Sequence, residues 1–274
     1  MSASVPDPTW RALAREAASA AEHIGIGATA LSRANHAENA YYSQAFFALS
    51  VGFERSAKLA LSVTSALAGD GFADSKTLRS YGHSLSVLLD EVDGLADRYG
   101  LEDHGRLPRS DIHTAIIEVL SDFASNLTRY YNLEFVAGDA AAAAEDPITA
   151  WFNRVTLPVL AAHDTERSRT RREQRAALMS MFEEFSLVHH HAEDGTPITS
   201  MEAGSLHIGA TEFARPWERM YVLQIARFLG KVMGMLGTQA MGAGGANIPY
   251  LAEFYALYNN EDGYFRSRKT WSIY

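Results

Sequence analysis

The sequence predicts a mostly α protein, and three observations carry that reading. Apolar residues recur every three or four positions through most of the 274 residues. Glycine and proline gather at a few points and leave long uninterrupted segments between them. Only the stretch 192–215, with TPITSMEAGSLHIGATEF inside it, has β-like character. The expected architecture is an up-down four-helix bundle in 1–137. A C-terminal helical region, 138–274, packs on it and contains one short β-hairpin.

Each element follows from local chemistry. Pro6 and Pro8 precede a helix from about Thr9 to Ser32. Asn35 is a cap for a second helix that runs to about Leu67 and stops at Ala68-Gly69-Asp70-Gly71. Its apolar positions Tyr42, Ala45, Leu49, Phe53, Ala57, Ala60 and Val63 define one buried face. Glu54 and Lys58 stand four apart in the favourable order for a surface ion pair. Ser80 or His83 opens a third helix that passes Leu95 and Arg98 and ends at Gly100. Ser110 caps a fourth, DIHTAIIEVLSDFASNLTRYYNLEFV, which ends near Gly138. The segment 138–146 is the candidate boundary. Beyond it, helices are expected from Pro147 to Ala162, from Thr165 to about His191, and from Pro216 to Leu236. A glycine-rich break, a short YLAEFYALYNN helix and a tail follow, with Trp271 expected to dock because exposing it is unfavourable.

Composition narrows the function classes. With no cysteine, neither a disulfide framework nor a thiolate metal site is available, which fits a reducing cytoplasm. The N-terminus lacks a basic region followed by an apolar run, and no run of about 18 apolar residues occurs. The expectation is a soluble, cytoplasmic protein without a membrane partner. A net charge of −9 disfavours a general nucleic-acid coat, although a local basic groove stays open.

Tyr41, Tyr42, Ala45 and Leu49, then Glu54 and Lys58, then Gly82, His83, Ser84, Leu85, Leu88 and Leu89 form a sequence pattern that resembles the HEPN family of small helical domains. The likeness covers about Glu38 to Ala137. It implies a HEPN-like bundle in 1–137, self-association as a homodimer or within a larger complex, and action on RNA. Catalytic members, among them nuclease toxins of toxin–antitoxin systems and antiviral defence effectors, use an arginine and a histidine with four to six residues between them. These cleave RNA without a metal or cofactor. The arginine fork holds phosphate and the histidine moves a proton. Silent members serve as dimerisation or interaction modules.

Two spacings fit that motif. Arg106 and His113 are the better pair, though Pro108 interrupts them; Arg98 and His104 are the weaker one. Arg109, with only three residues between it and His113, is outside the motif and is a candidate RNA contact. Arg129 and Tyr130 could hold a phosphate and stack on a base, or simply pack. Arg171 and Arg172, in the run RSRTRREQR, are either a phosphate-binding edge or a solvated helix start. His189, His190 and His191 point about 100° apart on a helix, so with Glu193, Asp194 and His207 they are not expected to form a metal site. The glycine-rich segment 234–245 has no phosphate-loop pattern, and no cofactor is expected.

Overall fold

Helical periodicity carries through into the computed structural model, which describes residues 7–101, 105–125, 128–138, 145–242 and 247–271. Helix α1 (Pro8–Leu31) starts where the Asp7 carboxylate accepts from Thr9 N–H. Helix α2 (Ala40–Ala68) ends on Gly69 at φ 94°, a left-handed conformation that glycine adopts without strain. The Asn35 side chain accepts from the N–H groups of Ala37 and Glu38, so it braces the turn before α2 rather than capping α2 itself. A short α3 (Ser75–Ser80) and α4 (Leu85–Tyr99) come next. Helix α5 (Asp111–Ala124) starts on the Ser110 cap.

All seven apolar positions predicted for the face of α2 are buried. They meet α1 on one side and α4 and α5 on another. The Glu54–Lys58 pair forms at 2.8 Å, and His83 Nδ1 lies 3.0 Å from the same carboxylate. The Glu54–Lys58 turn of α2 and the segment just before α4 are thus neighbours in space. Leu88 and Leu89 add their side chains to the core below them.

Three predicted boundaries move. The fourth helix does not continue to Gly138: it ends at Ala124, where the Ser125 hydroxyl turns back to the carbonyl of Ser121, and α6 (Tyr131–Ala137) starts afresh. The segment 165–191 is not one helix either. Helix α9 (Glu166–Met179) passes into a 3₁₀ turn, Ser180–Phe185, and the chain is then extended. The β character is reduced to a two-residue pair, β1 (His190–His191) antiparallel to β2 (Pro197–Ile198).

The largest departure is α10 (Met201–Gly242), which starts fifteen residues before the expected Pro216 and passes through that proline. Gly204 and Gly209 hide this helix from a propensity reading. Gly209 lets the two helices approach closely: a Cβ there would lie 3.0 Å from Arg172 Cδ on α9. Helix α10 contacts α1, α2, α4, α5, α8 and α9, and so forms a central fifth rod. One cluster of buried side chains, from Ala17 to Trp271, draws members from both 1–137 and 138–274.

Between α6 and α9, α7 (Pro147–Trp151) and α8 (Leu157–His163) are joined by a π turn, Phe152–Thr156. The wide turn precedes Pro158, which has no N–H for a helical bond. After α10 come a 3₁₀ helix, Leu251–Tyr258, and α11 (Asp262–Ser267). The tail docks as expected, with Trp271 buried on α1. There the Thr29 hydroxyl accepts from Trp271 N–H at 2.8 Å, and the Tyr258 hydroxyl donates to the Ala21 carbonyl. A Cβ at Gly25 would stand 2.1 Å from the Trp271 carbonyl, so the close approach requires glycine. Among the described residues no helix is long and apolar enough to cross a membrane.

Candidate functional site

Arg106 and His113 both line a cavity of about 270 Å³, where Gln224, Arg227, Phe228 and Lys231 of α10 face them. Each side chain is already engaged. Arg106 donates to Asp93 at 2.9 Å and also pairs with Asp97, while Asp93 accepts from Leu107 N–H at 3.0 Å. These carboxylates raise the Arg106 pKa further above its ordinary value. Asp93 is held below the usual carboxylate range: burial opposes ionisation, but Arg106, Leu107 N–H and Arg109 outweigh it.

The His113 ring is saturated at both nitrogens. Gln224 donates its amide N–H to Asp262, which turns its carbonyl oxygen towards His113 Nε2 at 2.7 Å. Nε2 therefore carries the proton, and Nδ1 accepts from the Ser110 hydroxyl at 2.7 Å. Burial lowers the His113 pKa, against the opposing pull of Gln224 and Asp262 and with help from Arg227. This is a neutral, fixed imidazole, whose edge also meets Tyr221 at a ring distance of 4.9 Å.

The other predicted contacts are scattered. Arg98 lies over the Tyr99 ring, and His104 falls outside the described residues. Arg109 pairs with Asp90 and Asp93. Arg129 lies over the rings of Phe47 and Phe123, which favours the packing reading, while Tyr130 is exposed. Arg172 is bound to Asp164 and Ser168 and lies against Phe213, and Arg171 is exposed. The arginine run therefore splits between a structural residue and a solvated one.

A second constellation lies where the α1–α2 turn, the β1–β2 turn and α10 meet. Glu193 is buried; its carboxylate accepts from the Tyr42 hydroxyl at 2.8 Å and contacts His207 Nε2. The Glu193 backbone is held by the Thr149 hydroxyl at 2.8 Å. Arg215, also buried, lies 3.6 Å from Glu193 and pairs with Glu218, which accepts from Thr156 at 2.6 Å and from Trp151 Nε1 at 3.3 Å. Burial pushes the Tyr42 pKa well above its ordinary value, so the phenol is a neutral donor.

His36 completes this group. Its ring is 5.3 Å from that of His207 and 5.7 Å from that of His190. Sequence reasoning missed His36 because it lies more than 150 residues before its partners. The histidine run was judged as a helix, whereas His190 and His191 are in a strand. A lone histidine directly after α1, next to the Asn35 turn, is the only local signal.

Comparison with family models, with curated proteins and with solved structures finds no match for this chain.

Proposed function

We propose that the chain works as a HEPN-like interaction module that self-associates. Support comes from one feature above all. Leu178 at the end of α9 and Met181, Phe182 and Phe185 in its 3₁₀ continuation are all exposed. Phe185 is 85% exposed and the adjacent Leu187 98%. An exposed apolar cluster of this kind is favourable to cover. The occupant is a second copy of the chain. Exposed Arg167 and Arg171 stand on the same helix and would pair with exposed carboxylates of the copy at the rim of the contact.

Light scattering across micromolar concentrations is expected to give a dimer for the wild type. Met181→Glu/Phe182→Glu is expected to give a monomer with an unchanged circular dichroism spectrum. A monomeric wild type would sink self-association and direct attention to a different protein partner.

Action on RNA is the second reading, favoured by Arg106 and His113 sharing one cavity with Arg227 and Lys231. In that reading His113 exchanges a proton and Arg106 binds the scissile phosphate. Both would first have to leave Gln224, Ser110 and the two aspartates. Incubation of total RNA with the wild type and with His113→Ala tests it. Cleavage lost at least about 100-fold in the variant is expected if His113 is the acid/base; equal cleavage by both removes the assignment to His113, and absent cleavage by both removes the ribonuclease reading.

A further inference from the structure

The geometry points to a first-row divalent metal site, of the zinc class, formed by His36, Glu193 and His207. One ring nitrogen from each histidine and one carboxylate oxygen lie within 4.8 Å of one another. Bonds of about 2.1 Å in a tetrahedron place donor atoms about 3.4 Å apart, so a small side-chain adjustment closes the set. Two imidazoles and one carboxylate suit zinc, iron or cobalt; calcium and magnesium require oxygen donors throughout.

A second observation separates this cluster from an ordinary buried ion pair. His36 is only 8% exposed, and its Nδ1 is buried with no hydrogen-bond partner. Buried polar atoms in folded proteins are almost always satisfied, so an orphaned imidazole nitrogen beside a second imidazole and a carboxylate calls for a ligand. Coordination through that atom would supply it.

The surroundings are those of a ligand set held in place. Tyr42 donates to one carboxylate oxygen of Glu193 and leaves the other directed at His207. Thr149 fixes the Glu193 backbone, and Phe152 packs against the His207 ring at 5.5 Å. Such outer partners orient first-row ligands and tune their basicity.

Three protein ligands leave a fourth position. His36 also forms part of the wall of a cavity of about 530 Å³, together with His190, Met179, Leu187, Ile198 and Met201. Of the three ligands only His36 borders this mostly apolar cavity, from which His190, water or a small molecule would complete the set. That arrangement matches sites in which a metal presents a bound water or ligand, rather than closed structural sites.

The test uses the full chain, stripped with chelator and titrated with zinc against a chromogenic chelator, with cobalt as a spectroscopic probe. One tight equivalent per chain is expected. His36→Gln and His207→Gln should each weaken it by more than about 100-fold, and Tyr42→Phe, an outer partner, by about 10-fold. His189→Ala/His191→Ala should leave it unchanged. Circular dichroism identifies variants that fold; should His207→Gln fail, His36→Gln carries the test, because its Nδ1 makes no bond that the fold needs. The inference is overturned if the wild type takes up no tight equivalent. It is equally overturned if binding survives His36→Gln and disappears with His189→Ala/His191→Ala, which would assign the metal to the exposed histidine run.

Discussion

Glu218→Leu is expected to destabilise the protein by about 3–5 kcal/mol. Glu218 is fully buried and accepts from three groups: Arg215, the Thr156 hydroxyl and the Trp151 indole N–H. Leucine fills much of its volume but accepts nothing. The fully buried arginine then keeps only Glu193, at 3.6 Å, as a carboxylate neighbour. Two further donors lose their acceptor, each at a cost of about 1–3 kcal/mol if left unsatisfied. A domain's whole stability is about 5–15 kcal/mol, so the loss is a large fraction of it. The melting point should fall by roughly 6–20 °C. Glu218→Gln keeps an acceptor for Thr156 and Trp151 and should fall less. The double variant Arg215→Met/Glu218→Leu should recover part of the loss, because it removes the unpaired charge together with its partner. A Glu218→Leu protein that melts within about 2 °C of the wild type would show that the network contributes no net stability.

The second large effect is on pH. His113 and His163 both have lowered pKa values, chiefly through burial, with Arg227 adding to the effect at His113 and Arg266 at His163. His163 lies flat on Trp217, with ring centroids 3.7 Å apart, and meets the Tyr221 hydroxyl at 2.9 Å. In the unfolded chain each histidine takes a proton near pH 6.5. In the folded chain each resists protonation until lower pH, so between the two values the unfolded state binds more protons. Stability then rises with pH in that window and is lost as pH falls below about 6.5. The urea midpoint should therefore drop between about pH 7 and pH 5.5. Asp93 and Asp164, whose pKa values are lowered, contribute their own loss only at more acidic pH, nearer 4. The His113→Gln variant, which can still bond Gln224, should show a flatter profile over the same window. A midpoint independent of pH from 7 to 5.5 would mean that both rings protonate freely in the fold.

Much of the fold was legible because its signals are local. The period of α2 and the stops at Gly69 and Gly138 depend on residues within a turn or two of one another, as does the Ser110 cap of α5. The start of α10 was not legible, because Gly204 and Gly209 read as loop. Their role is set by close neighbours, the side chain of Ile198 and that of Arg172. The predicted Arg106 and His113 do meet in one cavity, but the aspartates and Gln224 that occupy them come from α4 and α10. The His36–Glu193–His207 group was invisible for the same reason. Its members have no common spacing and converge only because α10 begins early enough to carry His207 back to the α1–α2 turn.

The docking of Trp271 on α1 bears on synthesis. The Thr29–Trp271 bond joins positions 242 residues apart, and the surface around Gly25 fits only the tail that covers it. A ribosome adding about 5–20 residues per second separates these two positions by roughly ten to fifty seconds. Throughout that interval the emerging α1 has an uncovered seam at its middle, which is closed only once the segment around Trp271 has been made.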